Sequence, residues 1–330
     1  HRLYGGREGP GPDSFWRTWG LMIPFFWLLI YVGTSLMPLE IYGTAAIASI
    51  VTGMILVFPL ALGGRQLWRK RPSRNDNPGW LAWSHLFFWA IITHPLLDTC
   101  TTYGTQLFEP FSSYRATWSN ISVADPLYTV PFLLCLIIAA FLRRGRPARS
   151  WFNYAGITVS SLYMIWTFSN KLKVDRIFND SLTTQGIVAE RFLTTPSIFN
   201  NILWTGTAET DTVFYVGDYS LLDRDPHFVL HPLSKHHELL RDHWDDRDVR
   251  ILRWFSSGYF VCQPQPDGQI RFTDLRFGGL LRPGQMEPDY VFYFLLKEEN
   301  GEMIARQSGG PPDGEPSEWF AALWERMKGR

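Results

Sequence analysis

The sequence predicts an α-helical membrane protein of about five transmembrane helices, followed by a small extracytoplasmic α+β domain that is mostly antiparallel β. Three observations carry this prediction. Of the 330 residues, 46% are hydrophobic, 16% aromatic and only 19% charged, which excludes a disordered chain. The zero net charge hides a split: residues 1–169 hold 13 Lys/Arg and 7 Asp/Glu (13 − 7 = +6), leaving 18 and 24 (18 − 24 = −6) for 170–330. Finally, five stretches of the first half lack Asp, Glu, Lys and Arg: 18–39, 41–64, 77–97, 126–142 and 150–170. About 20 apolar residues cross a ~30 Å hydrocarbon core. Neutral overall charge argues against a nucleic-acid partner, and the three dispersed cysteines, Cys100, Cys135 and Cys262, give neither a disulfide framework nor a Cys-type zinc site.

The elements follow in order. The second and fourth stretches are the most plainly apolar, and the third carries His85 and His94. Arg65, Arg69, Lys70, Arg71 and Arg74 follow the second stretch, and Arg143, Arg144, Arg146 and Arg149 separate the fourth from the fifth. The other connections carry Glu40, Asp98, Glu109 and Asp125 against Arg115. With positive loops retained in the cytoplasm, the expectation is a multi-pass membrane protein with residues 171–304 outside the cytoplasm. Residues 171–204 have helical spacing through Val174, Ile177 and Phe178, ending at Pro196. Runs at 212–219, 227–230, 253–262, 269–275 and 290–296 read as strands, with Gln263–Gln269 as the clearest hairpin. A Gly/Pro-rich linker is expected over 305–316. An amphipathic helix over 317–330 presents Trp319, Phe320, Leu323, Trp324 and Met327, suited to a membrane surface or to docking on its own domain.

The chemistry concentrates in THPLLDTCTTYGTQLFEPFS, residues 93–112. His94 and Asp98 stand at i and i+4, on one helix face, and supply a neutral nitrogen and a carboxylate, two donor types for a divalent metal. Against this, the two side chains can bond each other or finish a helix, and Pro95 favours that reading. Asp125 before Pro126 reads as a helix N-cap, or as a ligand or general base. His85 lies nine residues from His94, on the opposite face, as a histidine satisfied between helices. Thr101–Thr105 form a polar turn. His227, His231, His236, His237 and His243 fall within 17 residues, but Pro226 and Pro232 disfavour a helix, and in a strand His227 and His231 stand about 13 Å apart. The segments 253–256 and 272–276 read as fold-specific packing. Phosphate loops, nucleophile elbows and CxxC pairs are absent.

The residues 93–112, then SVADPLYTVPFLL and FVCQ…RFTDLRFG, resemble the YdjM-type family of inner-membrane, metal-dependent hydrolases over roughly 83–296. His94, Pro95, Asp98, Thr102, Gly104, Thr105, Pro110, Phe111, Ser112 and Asp125-Pro126 carry the resemblance. It implies His94 and Asp98 as ligands of a divalent metal, zinc by preference, with Asp125 as ligand, supporting group or base; the expected position of that site at the headgroup region makes an amphiphilic ester or phosphoester the expected substrate. The family's PDxD-like and HRGxTHS-like segments have no counterpart in this sequence, and with His1 in place of an initiating Met the expectation is that they lie upstream. The competing expectation is a non-enzymatic membrane scaffold whose outer domain binds a partner. A transporter ranks last, since intramembrane charge is scarce and no broken-helix pair repeats.

Overall fold

The computed structural model describes residues 80–143, 146–280, 288–290, 292–309 and 316–329. They fall into two compact units. One contains Leu96 and the residues before it together with Thr105–Ala116, and the other Leu97–Gly104 and Thr117–Arg330.

In the first unit, helix α1 (Trp80–Asp98) contributes all but its last two residues. Thr105 and Ala116 exchange backbone hydrogen bonds of 2.9 Å in a single antiparallel bridge, closing the loop between them.

The second unit begins with α2 (Pro126–Phe141) and α3 (Pro147–Thr184). Both start with proline at the first helical position, where its missing N–H is harmless. They approach closely at Gly156, where an added Cβ would lie 2.9 Å from the Cys135 Cβ. Four strands, β1 (Arg191–Pro196), β2 (Leu203–Glu209), β3 (Val213–Ser220) and β4 (His231–Ser234), form an antiparallel sheet in that order. A 3₁₀ turn at His237–His243 and helix α4 (Arg247–Phe255) lead to β5 (Phe260–Pro264) and β6 (Ile270–Asp274). Those two strands join β9 (Phe292–Glu299) and β10 (Glu302–Gly309) in a second antiparallel sheet ordered β10-β9-β6-β5. The short pair β7 (Gly279–Leu280) and β8 (Asp289–Tyr290) and the terminal helix α5 (Pro316–Met327) complete the unit.

Side-chain alternation stacks these elements in four layers. Along β3, Tyr215 and Tyr219 meet Val174, Phe178 and Leu182 of α3, whereas Phe214 and Val216 meet Tyr259, Val261, Leu275 and Tyr290. Along β5, Val261 faces the first sheet while Phe260 and Cys262 join Val249 and Leu252 of α4. The order is therefore α3, first sheet, second sheet, α4. Gly206 in β2 permits the approach of α3, since a Cβ there would fall on the Phe178 ring.

The expected fold class is corrected. Two of the expected transmembrane stretches, 18–39 and 41–64, lie outside the described residues. Among the described residues no helix is long and apolar enough to cross a membrane. The 16 residues of α2 rise about 24 Å, short of a ~30 Å core. The 19 residues of α1 mix His85, Thr93 and His94 into their apolar run. Within α3 the 150–170 stretch carries a polar group in nearly every turn, among them Asn153, Ser160, Thr167 and Asn170. What is present is helices joined to antiparallel sheets.

Other elements depart from the sequence pattern. The helical spacing of 171–204 holds only to Thr184, and Arg191–Pro196 and Leu203–Glu209 are strands. The run 253–262 divides between the end of α4 and the start of β5. Residues 227–230 precede a strand rather than form one, and Ala305–Gly309 lie within β10. The hairpin stands where its Pro-Asp-Gly turn puts it, with Gln265 and Gln269 closing β5 onto β6.

Candidate functional site

His94 and Asp98 both lie on α1, His94 exposed and Asp98, its final residue, half-buried. The Asp98 carbonyl accepts from the Thr101 amide at 3.0 Å and the Thr101 hydroxyl at 2.8 Å, so the threonine-rich segment supplies the turn that ends the helix. His85 is half-buried on α1.

Asp125 is the N-cap of α2. One carboxylate oxygen accepts from the amides of Leu127 (2.9 Å) and Tyr128 (3.4 Å), and the other accepts from the Tyr163 hydroxyl at 2.8 Å. Burial pushes its carboxyl above the usual value, against the lowering effect of the Tyr163 and backbone hydrogen bonds. Burial likewise raises the Tyr163 phenol, and the adjoining Asp125 raises it further. With both oxygens engaged, Asp125 fixes the start of α2 against α3, and that is the work this geometry supports.

Beside this cap lies a buried amide network that sequence reading missed. Asn120 donates to the Thr167 hydroxyl at 2.8 Å, Asn201 donates to the Asn120 carbonyl at 2.7 Å, and Asn170 donates to the Asn201 side-chain oxygen at 2.9 Å. All four residues are buried. They tie the segment entering α2, the middle of α3 and the β1–β2 loop to one another. Asn120 itself is fixed by the Cys100 carbonyl, which accepts its amide at 2.9 Å.

A second joint is built on Arg276. Its guanidinium binds the Asp274 carboxylate at 2.6 and 3.0 Å, lies over the rings of Phe255 and Phe277, and donates to the Thr102 carbonyl at 3.5 Å. Thr195 donates to the Arg276 carbonyl at 3.0 Å. Tyr103 sits against Phe277 with ring centroids 4.7 Å apart. The segment 272–276 thus holds layers together, as its residue types suggested.

Three of the clustered histidines, His236, His237 and His243, go to separate partners. His237 is stacked on Phe260, centroids 4.0 Å apart, and its Nε2 donates to the Phe260 carbonyl at 2.9 Å. His243 pairs with Asp246 at 2.8 Å and His236 with Glu238 at 3.0 Å. Among the described residues no group of three or more His, Cys, Asp or Glu is placed to hold a metal ion.

The segment in which His94, Asp98 and Asp125 stand also has relatives. Residues 19–174 match the family of the YdjM inner membrane protein. The YdjM match takes in α1, α2 and α3 as far as Val174. It stops before β1, so the strand segments around Cys262 and Asp274 lie beyond it, although the sequence resemblance ran to about residue 296. The two sheets and α5 are therefore additional to the YdjM segment. No curated protein and no solved structure matches the chain.

Proposed function

We propose that this is an inner-membrane protein of the YdjM type, in which the α2–α3 pair rests against lipid and holds the two-sheet module at the membrane for binding a partner. The observation that carries this reading is the apolar surface left bare on that pair. Leu133, Leu134, Ile137 and Ile138 of α2 and Leu162 and Ile165 of α3 are all at least 40% exposed, and they occur within an YdjM-family segment. So many exposed apolar side chains on one helix pair need a cover, and for an inner-membrane family the cover we propose is hydrocarbon. The module beyond it has its own cores and a fixed attachment through Asn120, Asn170 and Asn201.

The test is a photo-crosslinking amino acid at Leu134 in the full chain, activated in native membranes. Lipid adducts support the reading. Adducts to protein alone refute it.

Metal-dependent hydrolysis is the second reading. It is favoured by the exposure of His94 and by Asp98 one turn on, inside the matched segment. In it both residues serve as ligands of a divalent ion such as zinc, with further donors from elsewhere, and the ion activates water against a small or lipid-like ester or phosphoester. Asp125 then acts through its cap, by positioning α2. His94→Ala and Asp98→Ala in the full-length protein are expected to lower bound metal measured by mass spectrometry. Unchanged metal in both variants removes the ligand assignment.

A further inference from the structure

We propose that the aromatic patch formed by Phe199, Phe320 and Trp324 is a second membrane contact, which seats the module in the headgroup zone of a lipid bilayer. The inference rests on the reading that α2 and α3 face lipid.

Helix α5 is amphipathic, and its inner face is already satisfied by its own module. Trp319 and Leu323 are buried with Leu203 and Leu280. Arg326 binds Asp218 at 2.6 Å and Asp223 at 2.7 Å, and the Ser220 hydroxyl donates to the Met327 carbonyl at 2.6 Å. These contacts fix the roll of the helix. Phe320 and Trp324 are consequently held outward, 47% and 57% exposed, and cannot rotate inward without breaking the buried ion pairs.

The β1–β2 loop adds a third ring. Phe199 lies 6.0 Å from Phe320, centroid to centroid, and is 44% exposed. Its backbone has φ = 63°, a conformation uncommon for a bulky residue. Strain of about 1–3 kcal/mol at such a position persists where the surrounding structure enforces it, and it clusters at functional sites. Here the enforcement is visible. The Phe199 amide donates to the Ser122 hydroxyl, and the Asn200 side chain accepts from the amides of Ile202 and Leu203. The loop is bent in a way that presents an apolar ring to solvent.

The position of the patch selects lipid over other occupants. Ser122 stands three residues before the Asp125 cap, and Asn201 reaches both Asn120 and Asn170. Through the Phe199–Ser122 bond the patch adjoins the start of α2, where Val123 before the helix and Leu127 in its first turn are exposed apolar side chains. Tryptophan settles at the headgroup level, and Trp with Phe on the apolar face and a base on the polar one is the pattern of an interfacial helix; the base here is Lys328, 5.9 Å from the Trp324 ring and paired with Glu325. An amphipathic helix so placed sinks ~5–10 Å into the headgroup–acyl boundary.

The test uses the full chain, with Cys135→Ala to remove the half-exposed thiol, reconstituted in phosphatidylethanolamine/phosphatidylglycerol vesicles. An environment-sensitive fluorophore is attached at Trp324→Cys, Leu134→Cys or Val188→Cys, one at a time. Retained circular dichroism shows each variant folded. The expected result is blue-shifted emission at position 324, quenched more by lipids nitroxide-labelled near the headgroup than by those labelled near the chain end, with position 188 unquenched. Water-like, unquenched emission at 324 with quenching at 134 overturns this inference and leaves the lipid-facing α2 intact. Absence of quenching at both 134 and 324 overturns the two together. Protection of 324 from iodide without quenching by lipid assigns the patch to a contact with protein, from this chain or a second copy of it, and overturns the bilayer.

Discussion

Helix α3 reaches the first sheet at one point of unusual closeness, and that contact yields a quantitative test of the layering. Phe178 is fully buried, with ring centroids 4.9 Å from Phe228 and 5.4 Å from Phe192, and it covers Gly206 of β2. Phe178→Ala removes the ring and leaves a cavity, a loss of about 3–5 kcal/mol. Gly206→Ala drives a Cβ into the ring edge. A buried ring between two neighbours and a paired strand have little room to give, so the overpacking costs about 1–3 kcal/mol. In the double variant the new methyl enters the vacated space. Its stability is therefore expected to lie close to that of Phe178→Ala alone, a coupling of about 1–3 kcal/mol between the two sites. Guanidinium unfolding in detergent, followed by near-ultraviolet circular dichroism of the buried aromatics, measures all four proteins. If the two losses add to within about 0.5 kcal/mol, the rings and the glycine do not share a space and the packing of α3 on this sheet is wrong.

Three further outcomes follow from other sites. Asp125→Ala is expected to lose about 0.5–2 kcal/mol through the cap, whereas Asp125→Asn, which keeps an N-capping side chain, loses much less; equal losses in thermal melts contradict the capping role. Burial holds the His237 imidazole below its ordinary value of 6.5, so its neutral form is the one the fold prefers. The corresponding stability is complete above that value and declines as pH falls through the lower folded-state value, and His237→Phe is expected to flatten melting temperature between pH 7 and 5. Burial raises the thiols of Cys100 and Cys262 to about 12, so maleimide is expected to modify only Cys135 in the folded protein and all three cysteines after denaturation, as counted by intact mass.

What the sequence discloses depends on how far apart the interacting residues lie. The β5–β6 hairpin was legible because Pro266, Asp267 and Gly268 act within the turn they make. The Asp125 cap was legible for the same reason, since its amide partners are two and three residues on. The amide network was not, because its bonds join residues 31, 47 and 81 positions apart. Strand β1 was hidden by apolar positions that also fit a helix, and only pairing with β2 decides between them. The segment before β5 misled in the opposite direction, with aromatic Trp254 and Phe255 suggesting a strand where Val249 and Leu252 form the buried stripe of α4. Of the candidate site, the positions of His94 and Asp98 on one helix were legible, as was Asp125 as a candidate N-cap. The phenol that completes the Asp125 cap, 38 residues away, was not.

The change of texture at Asn170 illustrates a different confusion, between an element and its surroundings. Apolar residues give way there to Lys171, Lys173, Asp175 and Arg176, yet α3 continues from Pro147 to Thr184. A helix needs only its own i to i−4 hydrogen bonds to continue. Its side chains report what lies beside it, which is α2 for one part of its length and the first sheet, through Val174, Phe178 and Leu182, for another. The Lys171 ammonium bonds Asp175 one turn on and Thr194 of β1, so the charged turn is stitched into the module and is not a hinge. A continuous rod makes a metric prediction. Nitroxides at exposed Tyr154 and Thr183, in the Cys135→Ala background, are separated by 29 helical steps, about 44 Å along the axis. Pulsed dipolar spectroscopy in detergent is expected to give a narrow distribution near that length. A broad or much shorter distribution places a flexible joint near Asn170, and the module is then tethered to the YdjM segment by a hinge instead of being held by one helix.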